Sequence, residues 1–446
     1  MGANQIKGRV LYVGQAYYNA WYLSRELRKI GWIADQLNVD QNPENQKYYH
    51  GQDFIFKYET EKDKIDNFKF FVHATIVYDI FHFSNAHKLN FITDFDNVPP
   101  WYLDKKYFLI RKVAFLIRII ALFILDKYCK WDANRLYALV HKVGVKRVYF
   151  MLKALPHALP KRWDILLLKK LGKKIVYSNN GCLDGVSQTS FSKWGPASVC
   201  DICRWKNVPS VCSDKRNLEW GKIRNQLADY QCLLGGNRVD HNLDPRIHEE
   251  PFFYCLDKNF WNPDLLIPAN YILPYPKKTV KIFHAVGNYE LRTQENQKNI
   301  KCTHIYLPLV KRLKEQGLNV ELIFFHDVPN KILRYYQLQA DIVVDMLTYG
   351  WFGANAREAM MLGKPVICFL RPEWLESMKK EIPDYVKELP IINATPKTIY
   401  RVLKKLINNP KKMAEIGKKS RDFAVKWHSS DRAAKRFNRI YSQLLA

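Results

Sequence analysis

Residues 341–369 read DIVVDMLTYGWFGANAREAMMLGKPVICF. An apolar run from Ile342 to Met346 leads into a loop holding Gly350 and Gly353. A stretch at helical spacing follows, then Gly363, then a second apolar run from Val366 to Leu370. Strand, loop, helix and strand in so short a span form the repeating unit of a parallel, doubly wound sheet. Such sheets take ligands in the loops at the carboxyl ends of their strands. The small residues Gly350, Gly353 and Ala354 permit close backbone approach, and a helix opening near Asn355 aims free N–H groups at an anion. Glu358 lies about one turn into that helix, on a face able to reach a hydroxyl of a bound ligand.

The same alternation extends outward. Upstream, Val280 to Ala285 reads as a strand, Thr303 to Gln316 as a helix and Val320 to Phe325 as a strand, with Ile332 to Leu338 continuing the series. Downstream the chain is helical, with Pro396 and Pro410 placed as helix starters. Near the N-terminus, Arg9 to Gly14 suits a first strand. Asn19 is positioned to cap a helix carrying Leu23, Leu27 and Ile30, which Gly31 ends, and Ile33 to Leu37 suits a second strand. Further strands fit Tyr78 to Phe83, Lys174 to Ser178 and Gln231 to Gly235, and residues 101–171 read as helical and basic. Pro263, Pro268, Pro274 and Pro276 punctuate an aperiodic stretch that suits a linker. These readings predict an α/β protein of two doubly wound parallel-sheet domains facing a central cleft. The first spans residues 1–267 and the second 268–426, with 427–446 a terminal helix packing back on the first.

At 446 residues the chain is too long for one ordinary core. Lys and Arg outnumber Asp and Glu by 70 to 43, and residues 104–174 alone hold 18 basic side chains against 4 acidic ones. That surplus calls for an anionic partner such as an anionic membrane surface or a phosphorylated substrate; nucleic acid satisfies the charge, but the sequence carries no nucleic-acid-binding module. The most apolar segment, Phe108 to Leu125, is interrupted by Arg111, Lys112 and Arg118 and is too short to span a bilayer. It reads either as an amphipathic surface lying in a membrane interface or as a buried helix with snorkelling arginines. No signal peptide is apparent, so the expectation is a cytoplasmic protein, peripheral at the cytoplasmic face of a membrane. Four cysteines, Cys182, Cys200, Cys203 and Cys212, fall close together with a CxxC at their centre. They read as a structural zinc site in an insertion, or as independent buried thiols.

Glu358 to Val366 reproduces the pattern E-A-M-x-x-G-x-P-V, and in this respect the chain resembles the GT-B glycosyltransferases, specifically the retaining family called GT4. ADIVVD before the loop, the tail through Trp427 and His428, and RVLYVG, YDIFHF and LLKKLGKKIVYSNNG in the first half look like family sequence. The resemblance implies a GT-B fold and a nucleotide-sugar donor, UDP- or GDP-linked, with Glu358 on the ribose and backbone amides around Gly353, Ala354 and Asn355 near the phosphates. It implies Arg292 and Lys301 on the diphosphate, with no catalytic metal expected. NIKCTH looks like the family's Lys-Gly-Thr run, with Cys302 in place of the glycine. One departure stands out: the family carries a first glutamate where this chain has Gly350, which leaves the donor sugar open.

The same resemblance offers His82, in YDIFHF, as a residue meeting sugar or acceptor; the alternative is a satisfied core histidine. Asp345 reads either as an acidic catalytic residue near the site or as the end of a strand capping the loop. Gln15 and Asn19, after the first strand, border the acceptor side. The implied activity is transfer of a hexose, with retention, to a membrane-linked or polysaccharide acceptor such as a lipid-linked glycan in polysaccharide biosynthesis. Sugar-nucleotide epimerisation or phosphorolysis on the same scaffold, and a catalytically silent membrane-binding subunit, are the alternatives. Oligomeric state is not readable.

Overall fold

The computed structural model describes residues 6–446 apart from 16, 85–90, 93–130, 155–161, 179–184, 193–198 and 234–237. Two parallel sheets carry the fold. The first contains β1 (Gly8–Val13), β2 (Trp32–Asn38), β3 (Phe54–Ile55), β4 (Ile80–Phe83), β5 (Lys174–Ser178), β6 (Tyr230–Leu233) and β7 (Ile247–Glu249), in the order β3-β2-β1-β4-β5-β6-β7. The second contains β8 (Val280–Val286), β9 (Val320–His326), β10 (Ile342–Val344), β11 (Val366–Cys368) and β12 (Ile392–Asn393), in the order β12-β11-β10-β8-β9. All pairings are parallel. Central strands are buried on both faces, which is why β10 reads as the uninterrupted apolar run IVV. Strand order reverses between β1 and β4 in one sheet and between β8 and β10 in the other. The loops leaving β1, β8 and β10 therefore open at the switch points where doubly wound sheets hold ligands.

Helix boundaries follow local chemistry, with two exceptions to expectation. The helix Asn19–Lys29 does end at Ile30 and a left-handed Gly31, whose N–H donates to Arg28 O. Its N-cap, however, is Tyr18, which makes no side-chain capping bond, and Asn19 is the first helical residue with its side chain buried. Pro410 opens the helix Pro410–His428, where the Asn409 side chain accepts from Lys412 N–H. Pro396 opens none. It sits in a turn closed by Thr395 N–H donating to Thr398 Oγ1, and the helix begins only at Ile399. In the basic region, the described residues form the helices Ala133–Val143, Val145–Ala154 and Trp163–Lys170. Phe108 to Leu125 lies outside the described residues. Among those described, no helix is long and apolar enough to cross a membrane.

Among the described residues, three large apolar clusters divide the interior, beside a small fourth around Val186, Phe191, Val199 and Cys200. One lies on the outer face of each sheet, and a third runs between them, joining Tyr18 and Trp261 to Trp351, Met360 and Phe437. The helix Ser430–Leu445 returns to the first sheet and buries Phe437, Ile440 and Tyr441, while Trp32 Nε1 donates to Asn438 Oδ1 at 2.8 Å. The chain passes between the sheets at residues 250–279 and again near Ser429. The two passages are bonded to each other: Leu256 N–H donates to His428 O at 2.7 Å, and Ser430 N–H donates to Leu256 O at 2.9 Å. On the far edge, Ser377 Oγ and the Glu381 carboxylate, from the helix Pro372–Glu381, bond to Glu249 of β7.

Candidate functional site

A cavity of about 750 Å³ lies between the sheets, walled by loops leaving β1, β8, β9 and β10. Its size is that of a small-molecule site. The wall from the second sheet is built around the helix Ala354–Met361, whose first N–H groups lack intrahelical partners and face the loop. Asp345, at the end of β10, organises this loop. One of its oxygens accepts from Gly353 N–H at 2.9 Å and the other pairs with Lys301 Nζ at 2.5 Å, while Tyr306 donates to its backbone carbonyl. Asp345 is fully buried and is not part of the cavity wall. Its bonds aim Lys301 and pin the helix entrance, which is the placement of the capping alternative; the acidic catalytic alternative would need it at the cavity wall, where it does not lie. Gly353 leaves room for that approach: a Cβ there would sit 2.9 Å from Lys301 Nζ and oblige the lysine to shift.

Lys301, Gly353, Ala354, Asn355 and Glu358 all line the cavity, as does Arg292 at the end of the short helix Tyr289–Arg292. Arg292 makes no ion pair or side-chain hydrogen bond among the described residues and is free to meet a ligand. Asn355 Oδ1 accepts from Gln337 Nε2 at 2.6 Å. Glu358 accepts from Tyr18 Oη at 2.6 Å through one oxygen and from Gln337 Nε2 at 3.2 Å through the other. Burial raises its pKa above the ordinary carboxylate range, against the two hydrogen bonds and the neighbouring Arg357 charge that pull it down. Cys302, in the place of the glycine expected before Thr303, adopts a left-handed φ of 62°, so the backbone retains a glycine-like turn at some cost in strain.

The first sheet contributes less than expected. Gln15 does line the cavity, with Nε2 donating to Gly51 O and Oε1 buried without a partner. Asn19 does not reach it. His82 is also absent from the wall. It is fully buried, with Nδ1 bonded to Tyr441 Oη at 2.7 Å and Nε2 to Ser178 Oγ at 2.6 Å, amid the rings of Tyr12, Phe253 and Phe437. The expected cleft-facing position is thus corrected: the strand turns His82 toward the face that the C-terminal helix covers. Burial lowers its pKa to about 3, which keeps the ring neutral.

Three of the clustered cysteines, Cys200, Cys203 and Cys212, also line the cavity rather than a remote insertion. Burial, reinforced by Cys203, raises the Cys212 pKa. Among the described residues no three His, Cys, Asp or Glu side chains converge as metal ligands; Cys182 lies outside those residues. Several residues around the site went unread in the sequence. Tyr18 and Gln337 hold Glu358, and Arg357, on the cavity wall, is packed against Tyr254 and Trp351. A second charge beside Glu358 in ANAREAMM was the available signal for the last.

Two Rossmann-like parallel-sheet domains about a shared cavity define the class: this is a GT-B fold. Residues 305–423, which include β10, the loop and Glu358, match the family described as glycosyl transferases group 1. Sucrose-phosphate synthase from Thermosynechococcus elongatus is similar at 12% identity over 98% of this chain and 99% of that one, with a TM-score of 0.50. HepE from Anabaena in complex with UDP is 11% identical, covering 98% of this chain and all of its own, with a TM-score of 0.48. At such identity the likeness speaks to the fold. No curated protein matches the sequence. The fold and the matched segment together support glycosyl transfer as the chemistry of the chain.

Proposed function

We propose that the protein transfers a hexose from a UDP- or GDP-linked sugar, with retention of configuration, to a glycan or membrane-linked acceptor at the cytoplasmic face of a membrane. One observation carries the reading: Lys301, Arg292, the helix entrance at Gly353 to Asn355, and Glu358 converge on one cavity between the two sheets. Cations and oriented amides stabilise charge that grows on a departing diphosphate, and they do so best where water is excluded. Lys301, braced by Asp345, and Arg292 meet the diphosphate. Glu358 accepts from the ribose hydroxyls, exchanging its bond with Tyr18 for them. As the bond from the anomeric carbon to the diphosphate oxygen breaks, the acceptor oxygen bonds to the same face and its proton passes to the leaving oxygen. Gln15, with an unpartnered carbonyl oxygen, stands on the acceptor side. The basic segment around residues 104–174 supports docking on anionic lipid, where each Lys or Arg contributes about 1 kcal/mol.

Thermal denaturation with UDP, GDP, ADP and CMP tests the donor site. A nucleotide at a hundredfold excess over its dissociation constant stabilises by about 2.7 kcal/mol. Glu358→Ala is expected to abolish the shift. If no nucleotide stabilises the wild-type chain, the proposal fails.

A further inference from the structure

The cavity holds cations that differ in how they are partnered. Its wall carries Arg204, Lys206, Arg292, Lys301 and Arg357 against the carboxylates of Asp40, Asp327 and Glu358. Lys301 is paired with Asp345, Lys206 with Asp201 at 2.8 Å, and Arg204 donates to the carbonyls of Glu290 and Leu291. Arg357 is different. The residue is only 4% exposed, yet its side chain makes no hydrogen bond and no ion pair among the described residues. Its guanidinium lies 4.9 Å from the centre of the Tyr254 ring and 5.4 Å from that of Trp351, one aromatic from each half of the molecule.

A desolvated cation held only by ring faces is incompletely compensated, and a buried guanidinium with five donors and no acceptor calls for an anion.

We propose that Arg357 binds a second anionic group, a carboxylate or phosphate monoester carried by the transferred sugar or by the acceptor, in addition to the nucleotide diphosphate. The inference rests on the glycosyl-transfer reading and narrows its substrate to an acidic one. Arg357 is then a specificity-determining residue: its guanidinium offers an oxyanion a bidentate pair at the cavity wall, and the aromatic pair fixes its orientation.

Equilibrium binding separates the possibilities. In the donor arm, UDP-glucose is compared with UDP-glucuronic acid, and GDP-mannose with GDP-mannuronic acid. In the acceptor arm, methyl glucoside is compared with methyl glucuronide and glycerol 1-phosphate at saturating nucleoside diphosphate. The wild-type chain is expected to prefer the acidic member in one arm by about ten- to a hundredfold, the value of a hydrogen bond to a charged group. The responding arm identifies which substrate carries the anion. In Arg357→Met the acidic-to-neutral ratio falls to about one, and in Arg357→Lys it is partly kept. Because the wild-type comparison needs no variant, a poorly folding Arg357→Met does not rescue the idea. If UDP or GDP binds while neither arm distinguishes acid from neutral, the inference is overturned and the transferase reading stands. If no nucleoside diphosphate binds, both fall.

Discussion

Two buried polar clusters sit at the carboxyl ends of central strands, one in each sheet, and their difference separates architecture from function. Around His82 every polar atom is satisfied by another part of the chain: Ser178 on one ring nitrogen, Tyr441 on the other, and Tyr441 in turn bonded to Tyr12 at 2.9 Å. It is not part of the wall of the cavity between the sheets. Around Glu358, among the described residues, Arg292 and Arg357 are unpaired and Gln15 Oε1 is without a donor, and all three residues line that cavity. Burial is common to both clusters. What distinguishes them is where the remaining hydrogen-bonding capacity points.

The contrast breaks most sharply at Lys301. Lys301→Ala removes the cation from the cavity and leaves Asp345 buried and uncompensated. Single-turnover transfer is expected to fall by about 10²- to 10³-fold, and stability in a urea melt by about 3–5 kcal/mol. Transfer at wild-type rate would remove Lys301 from the chemistry.

The His82 cluster should respond in stability alone. His82→Gln leaves one of its two partners short, which costs about 1–3 kcal/mol at neutral pH, while the transfer rate of the folded protein stays within a few fold. A folded, stable and inactive His82→Gln would reverse the assignment. The same variant has a pH signature. His82, His284 and His428 are each held near a pKa of about 3 by burial, so the unfolded chain binds more protons than the folded one from about pH 6.5 down to that value. Wild-type stability contributed by these rings is therefore complete above pH 6.5 and is lost as pH falls. Glu249, raised to about 7 by burial, works in the opposite direction. Denaturant midpoints between pH 4 and 6.5 should give a slope shallower by about 1.4 kcal/mol per pH unit in His82→Gln.

The smallest expected effect belongs to the bond that spans the two halves. Tyr18→Phe frees one oxygen of Glu358, so nucleotide affinity measured by calorimetry should rise by roughly threefold, while the unliganded protein loses about 1 kcal/mol. Weaker nucleotide binding would mean that Tyr18 supports the ligand rather than competing with it.

The parts of this molecule legible in the sequence are those whose signal is contiguous. Residues 341–369 announce their strand, loop, helix and strand because spacing and residue type coincide within one segment, and Glu358 and Gly353 come with them. The strand Lys174–Ser178 is read to the residue for the same reason. His82 was misplaced because alternation along a strand gives two faces without saying which one the cleft occupies. The answer comes from Phe253, Phe437 and Tyr441, remote in sequence. Asp345 was half read: its place at the end of a strand was visible, but its pairing with Lys301 depends on β8 and β10 lying side by side. Arg357 carries no sequence signal of its own, because its aromatic neighbours Tyr254 and Trp351 meet it only through the fold. Tyr18 reaches Glu358 only because the first half folds over the second.

The bonded meeting of Leu256 with His428 and Ser430 has a mechanical consequence. Two crossings bonded to each other join the sheets at one point, so turning one half on the other pivots there and must also part Tyr18 from Glu358 and Glu249 from Ser377 and Glu381. The Tyr18–Glu358 distance becomes a gauge of the swing angle, and a spectroscopic ruler across that pair would read how far the jaws have closed.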